Sequence, residues 1–131
     1  MKRKSLLILV MLMISAVFAL QGSLALAEDM TAKDLVAEAK KNITTIAVSE
    51  AKALFDKGDV IFLDCREPKE YKSGHIPGAI NIPRGLLEFK IGKKISDKDT
   101  PVVMYCKSGG RASLACCSIQ RMGYKLSLIH I

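Results

Sequence analysis

The stretch that most constrains this chain is PVVMYCKSGGRASLACC, residues 101–117. An apolar run without alternation leads into Cys106, and such runs are typical of strands buried on both faces of a parallel sheet. Cys106 is therefore expected at the carboxyl end of a strand, the edge where open α/β sheets bind ligands. Gly109 and Gly110 follow, and they allow the backbone to curl so that several N–H groups converge on the cysteine sulfur.

A helix is predicted from Arg111 onward. Its apolar positions are Ala112, Leu114, Ala115, Ile119 and Met122. The partial positive charge at the helix N-terminus, together with the charges of Lys107 and Arg111, favours an anion at the same point. Such surroundings lower a cysteine pKa from about 8.5 to roughly 3.5–7.5, so Cys106 is predicted to rest as a thiolate and to be the nucleophile.

A second informative stretch is LDCREPKEYKSGHIPGAINIP, residues 63–83. The run VIFLD, residues 60–64, is predicted as a second buried strand, which brings Asp64 and Arg66 to the same sheet edge as Cys106. His75 is a possible general base, but a thiolate stabilised by dipoles and cations needs none. The favoured interpretation is that His75 fixes the turn into the Ile-Pro-Gly segment that follows.

Both stretches resemble the rhodanese, or sulfurtransferase, family. Residues 106–111 are similar to its active-site loop, and residues 63–83 to its Asp-x-Arg and Gly-His-Ile-Pro-Gly-Ala signature, in the family's order. With the flanking elements the resemblance covers residues 44–125. It implies an α/β fold with an open parallel sheet flanked by helices on both faces. It also implies Cys106 as the catalytic residue, Asp64 and Arg66 as supporting residues that order the site or contact substrate, and a substrate-binding loop of Lys107, Ser108, Gly109, Gly110 and Arg111.

The length of the loop separates members of this fold. Four residues lie between Cys106 and Arg111, as in sulfur-handling rhodaneses, whereas related phosphatases and arsenate reductases have five. The resemblance thus implies a thiosulfate sulfurtransferase that forms a covalent Cys106 persulfide and uses no metal or organic cofactor. Its expected partners are a small anionic sulfur donor and a thiophilic acceptor such as cyanide, a thiol or a protein. A sulfur-carrier or binding module without fast turnover is the alternative.

The N-terminus has the features of a secretory signal peptide. Lys2, Arg3 and Lys4 precede an apolar run, residues 6–20, and an A-x-A cleavage site ends at Ala27. Residues 1–27 are therefore predicted to be a signal peptide, and the protein to be exported to the periplasm or another extracytoplasmic space. A retained anchor is the alternative, but the run is shorter than the ~20 residues of a spanning helix. We accordingly expect no stable membrane insertion after cleavage.

Composition gives little indication of other partners. The chain has 20 Lys and Arg against 13 Asp and Glu, and since three of the cations lie in the first four residues, the remaining excess is mild. No nucleic-acid footprint is indicated. Cys65, Cys116 and Cys117 are interpreted as small buried side chains. Cys116 or Cys117 could resolve an oxidised Cys106, but both lie almost three helical turns beyond the loop.

Three flanking segments complete the predicted domain. Residues 28–43 form a helical extension, with Thr31 and Asp34 in a capping box and Leu35, Val36 and Ala39 facing the domain. Residues 43–48 form the first strand, and Ser49 caps a helix that stops near Gly58. After a third strand, residues 79–83, a short helical segment shields the sheet with Leu86, Leu87 and Phe89. A solvated loop then carries Lys90, Lys93, Lys94 and Lys98.

The C-terminal end departs from the family pattern. The Gly-Tyr turn at Gly123 and Tyr124 is present, but the central strand, Gly-Gly loop and last helix of the family are missing. Residues 126–131, LSLIHI, resemble what the transposon end of sequencing adapters encodes, so we interpret them as a non-native tail on an incomplete domain. The tail is expected to pair as a makeshift strand in the gap between the first strand and the Cys106 strand.

Overall fold

A computed structural model describes residues 29–129. The predicted signal peptide, residues 1–27, and the last two residues of the predicted tail lie outside the described residues. The helices are α1 (Ala32–Lys41), α2 (Val48–Lys57), α3 (Pro68–Lys72), α4 (Leu87–Lys94) and α5 (Gly110–Gln120), with a 3-10 turn at Arg84–Leu86. The strands are β1 (Thr44–Ile46), β2 (Ile61–Asp64), β3 (Ile80–Asn81), β4 (Val102–Tyr105) and β5 (Leu126–Ile129).

The five strands form one sheet in the order β1-β5-β4-β2-β3, and every pairing is parallel. The centre is β4, whose four residues are all buried, as its uninterrupted apolar sequence predicts. In the register of β2 with β4, Asp64 lies opposite Tyr105. The next residues of the two strands, Cys65 and Cys106, therefore leave the sheet side by side at its carboxyl edge.

Helices cover both faces of the sheet, as the family resemblance implies. On one face α4 and α5 pack over a large core that includes Leu63, Met104, Leu87, Ile91, Ala115 and Ile119. On the other face α2 and α3 cover a smaller core with Phe62, Val103, Tyr105, Ala51 and Tyr71. This second face retains an open groove of about 310 Å³ whose lining includes Phe55 and Phe62.

The predicted capping box of α1 is confirmed, since the Thr31 side chain accepts from the Asp34 amide and the Asp34 carboxylate accepts from the Thr31 amide. The cap predicted at Ser49 is wrong. Helix α2 already begins at Val48, with Ala47 at the N-cap, so Ser49 lies inside the first turn. The predicted stop at Gly58 is confirmed, because this glycine is the C-cap with a φ of 75°.

Three of the predicted core positions are also wrong. Helix α4 turns Leu87, Ile91 and then Ile95 inward at a spacing of four residues, so Leu86 and Phe89 face outward, and Phe89 is 79% exposed. In α1, Ala39 is buried and Val36 is half-buried, but Leu35 is 44% exposed.

The lysines at residues 90, 93 and 94 lie on α4 and not on a loop. They occupy the exposed side of the amphipathic helix, whereas Lys98 follows its end in the loop before β4.

Strand β5 lies between β1 and β4, where the tail was expected to pair. Its backbone is in register with both neighbours, with Ser127 opposite Thr44 and Val103. The Gly-Tyr turn before it is well packed, since Tyr124 is buried and its hydroxyl donates to the Ile95 carbonyl at 2.9 Å. The non-native origin of the tail remains a prediction.

Candidate active site

The sulfur of Cys106 lies at the floor of a tight loop between β4 and α5. The Gly109 amide donates a hydrogen bond to Sγ at 3.2 Å. Gly109 has a φ of 83°, in the left-handed region that favours glycine, and it forms the N-cap of α5. The loop is braced from within, because the Ser113 amide and hydroxyl both donate to the Gly109 carbonyl, at 2.8 and 2.7 Å.

Several hydrogen-bond donors stabilise the thiolate of Cys106. The Cys65 thiol on the neighbouring strand makes the largest contribution, and the amides of Ala112, Ser108 and Gly109 add to it. Together they outweigh the opposing effect of burial and lower the pKa of Cys106 to about 5. At neutral pH the sulfur is therefore a thiolate, although the residue is only 3% exposed.

Arg111 lies in the first turn of α5 and forms an ion pair that the sequence analysis did not predict. Its guanidinium donates two hydrogen bonds to the Glu70 carboxylate of α3, at 2.6 and 2.8 Å. This ion pair lowers the pKa of Glu70 to about 2 and raises the pKa of Arg111. The sequence places Glu70 near the carboxyl edge of the sheet, because α3 follows β2, but it does not show which side chain Glu70 meets.

Asp64 and Arg66 form a second ion pair beneath the site. Asp64 is fully buried, and Arg66 donates to its carboxylate from both Nε and Nη2. Arg66 also donates to the Gly74 carbonyl at 2.7 Å, and Asn81 Nδ2 donates to the carbonyls of Asp64 and Arg66. The pair thus joins β2, β3 and the turn after α3.

The remaining loop residues lie around the mouth of the site. Lys107 and Ser108 are exposed, and Gly110 is half-buried. A Cβ atom on Gly110 would lie 3.7 Å from Val36 of α1, so the N-terminal helix forms part of the wall beside the loop.

His75 is engaged away from the loop. Its Nδ1 lies 2.8 Å from the Tyr71 carbonyl, and its ring stacks on the Tyr71 ring at 3.6 Å. These contacts fix the turn after α3, in agreement with the favoured interpretation.

None of the four cysteines is in a disulfide bond. Cys65 and Cys116 are fully buried, and burial is the largest contribution raising the pKa of Cys116 to about 12. Cys117 is half-buried. Within residues 29–129 no helix combines the length and apolar character that crossing a bilayer requires.

Fold and site together define an α/β domain that holds a cysteine thiolate in a cradle of backbone amides at the carboxyl edge of a parallel sheet. The family model for the rhodanese-like domain matches residues 47–130. The chain belongs to the rhodanese-like domain family.

Two curated proteins that are similar to this chain differ in their described activity. A sulfurtransferase of Allochromatium vinosum is 37% identical over 76 residues, which cover 58% of this chain and 69% of that protein. The tRNA uridine(34) hydroxylase of Erwinia tasmaniensis is 32% identical over 90 residues, but they cover 66% of this chain and only 25% of the hydroxylase.

Among solved structures, that of RPA3614 from Rhodopseudomonas palustris, described as a protein of unknown function and possible tyrosine phosphatase, superposes with a TM-score of 0.69. It is 31% identical in sequence, with 82% of this chain and 89% of that chain covered.

Proposed function

We propose that this protein is a sulfurtransferase that moves sulfane sulfur from an anionic donor such as thiosulfate, through a Cys106 persulfide, to cyanide or a thiol acceptor. The observation that carries the proposal is the Cys106 thiolate, with a pKa of about 5, at the centre of a six-residue loop of amides. Similarity to the Allochromatium sulfurtransferase supports it.

In the first step the Cys106 thiolate attacks the outer sulfur of thiosulfate, the S–S bond of the donor breaks, and sulfite leaves with the bonding electron pair. The amides that stabilised the thiolate then stabilise the negative terminal sulfur of the persulfide. In the second step cyanide attacks that terminal sulfur, thiocyanate leaves, and the Cys106 thiolate is restored. The cycle consumes no proton, metal or organic cofactor.

Charge around the mouth favours an anionic donor. Lys107 follows Cys106 directly and is exposed, and Arg111 lies in the first turn of α5. Because Glu70 neutralises much of the Arg111 charge, Lys107 and the helix N-terminus supply most of the attraction.

The test is thiocyanate production from thiosulfate and cyanide by the purified protein and by Cys106→Ser. Turnover should be lost in Cys106→Ser and retained in Cys117→Ser, a matched control that removes the more exposed neighbouring thiol of α5. Turnover that persists in Cys106→Ser would overturn the assignment of the nucleophile.

The alternatives give different results. A sulfur carrier would hold a stable addition of one sulfur on Cys106 after incubation with thiosulfate, seen by mass spectrometry, and would release negligible thiocyanate. A phosphatase would release phosphate from an aryl phosphate. Either result in place of thiocyanate turnover would contradict the proposed enzymatic function.

We also propose that the protein is exported, on the basis of the charged, apolar and A-x-A segments of residues 2–27. Expression of the full chain in a bacterial host should yield a periplasmic product that begins at Glu28, which N-terminal sequencing would detect. Retention of residues 1–27 on a membrane-bound product would contradict it.

A further inference from the structure

A buried thiol that the proposed reaction does not use lies next to the nucleophile. Strands β2 and β4 are paired in parallel up to Asp64 opposite Tyr105, and the Cys65 amide extends the ladder by donating to the Tyr105 carbonyl at 3.1 Å. Side chains alternate between the faces of a strand, so Cys65 and Cys106 project on the same face. Both belong to the core under α5, Cys65 with no exposure at all.

The Cys65 thiol has one hydrogen, and the strand register sets two acceptors beside it, the Tyr105 carbonyl and the Cys106 sulfur. It donates to the Tyr105 carbonyl, with Sγ at 3.3 Å from the oxygen. That carbonyl belongs to the residue directly before Cys106. When Cys106 is ionised, its thiolate is the stronger acceptor, since hydrogen bonds to a charged group are about twice as strong as neutral ones.

Cys65 is suited to be a donor and unsuited to be a second nucleophile. Hydrogen bonding to Cys106 and burial raise the pKa of Cys65, so the thiol keeps its hydrogen while Cys106 loses its own. A buried protonated thiol reacts poorly with oxidants or donors.

We propose that Cys65 is a positioning residue of the active site: its thiol, aligned with Cys106 by the strand register, donates its hydrogen to the Cys106 thiolate and so holds the nucleophile in its charged, reactive form. This inference deepens the proposed sulfurtransferase function, since the same thiolate is the attacking group.

Other groups face Cys106 and must be kept constant in a test. Asp64 lies on β2 next to Cys65, and its charge is neutralised by Arg66. From α5, Arg111 and the buried Cys116 lie near the sulfur, and Arg111 is paired with Glu70. Lys107 follows Cys106 directly and is exposed.

The test is the pH dependence of Cys106 alkylation by iodoacetamide, which needs no sulfur donor and therefore remains informative if the proposed function fails. Tryptic digestion separates the thiols, because Cys106 falls in residues 99–107, Cys65 in residues 58–66 and the two α5 cysteines in residues 112–121. Mass spectrometry of residues 99–107 thus reports on Cys106 alone.

Cys65→Val replaces the donor by a somewhat larger apolar side chain, and Cys65→Ala is a second variant without the donor in case the first does not fold. Each should raise the midpoint of the alkylation profile by about one pH unit or more, the size expected for losing a hydrogen bond to a charged group. At pH 6 the alkylation rate should fall by about two- to tenfold.

Cys65→Ser keeps an O–H donor, so its alkylation midpoint should stay close to that of the wild type. Cys116→Ala, which removes a fully buried thiol of the same core, should leave the midpoint in place. Thermal unfolding of each variant would show that the fold is retained. A wild-type midpoint in a folded Cys65→Val or Cys65→Ala would overturn the proposal. So would a Cys65→Ser midpoint that is raised as far as in these two variants.

Discussion

The Glu70 carboxylate accepts two hydrogen bonds from the Arg111 guanidinium, at 2.6 and 2.8 Å, across 41 residues of sequence. The pair joins α3, which follows β2, to the first turn of α5, which follows Cys106. Arg111 is therefore held by protein and is not a free anion receptor, so its charge acts on a substrate together with that of Glu70.

Replacing Glu70 by Gln would leave the charge of Arg111 uncompensated. We expect the KM for thiosulfate to fall by about two- to fivefold, because one unit charge a few ångströms from an anion contributes about 1 kcal/mol in water. Steady-state thiocyanate assays at several salt concentrations would measure this, and the effect should weaken as salt rises. Glu50→Gln on α2 is the control; a KM that stays the same in Glu70→Gln would contradict the prediction.

The same pair predicts how stability depends on pH. The pKa of Glu70 is lowered from an ordinary value of 4.5 to about 2, so the folded state binds the proton less readily than the unfolded state. The stabilisation is fully present above pH 4.5 and is lost as the pH falls towards 2. Urea denaturation should show wild type more stable than Glu70→Gln at pH 6, with the difference shrinking steadily into acid; a difference that did not change with pH would exclude this ion pair as its source.

Gly109 and Gly110 offer a matched test of the loop. Gly109 has a φ of 83°, so Gly109→Ala should cost about 1–2 kcal/mol of unfolding free energy and move the amide that donates to Cys106. Gly110 lies in ordinary helical conformation with only Val36 near its Cβ position, so Gly110→Ala should be neutral or stabilising by up to about 1 kcal/mol. Chemical denaturation of the two variants would check both values. Equal effects would show that the backbone conformation of Gly109 is not what requires glycine.

The buried Asp64 should be more important to stability than an exposed counterpart. The Asp64 carboxylate is fully buried in an ion pair with Arg66, and Asp64→Asn removes its charge. We therefore expect the free energy of unfolding to fall by about 3 kcal/mol. Asp56→Asn breaks a pair with Lys52 whose side chains are 54% and 66% exposed, and it should cost less than about 0.5 kcal/mol. Unfolding curves of both variants test this contrast, and similar losses would contradict it.

What the sequence predicted well depends on local patterns. Strand β4 is a single uninterrupted apolar run, and Gly109 can adopt the left-handed conformation that turns the chain around Cys106, so the cradle follows from adjacent residues. Helix α1 carries its own N-terminal signal in Thr31 and Asp34. None of these features needs a distant partner.

What the sequence reasoning missed depends on pairing between distant segments. Glu70 looks like one more surface carboxylate until α3 and α5 are placed side by side, and Cys65 looks like a small apolar residue until the strand register sets it beside Cys106. The outward position of Phe89 was not predicted because helix α4 takes its phase from Leu87, Ile91 and Ile95, and the predicted segment ends before Ile91.

Neutral hydrogen-bond donors, and not cations, are expected to be the main source of the reactive Cys106 thiolate. The strongest contributions to the low pKa of Cys106 are a thiol and three amides, so charge-removing substitutions should have a minor effect. In wild type the alkylation rate should be nearly constant above pH 6 and should fall as the pH drops through about 5, where the thiolate becomes protonated. Lys107→Ala and Arg111→Gln should each move this midpoint upward by less than Cys65→Val does, while raising the KM for thiosulfate. A midpoint that moves close to the free-thiol value in either cation variant would show that charge, and not the amide cradle, keeps Cys106 ionised.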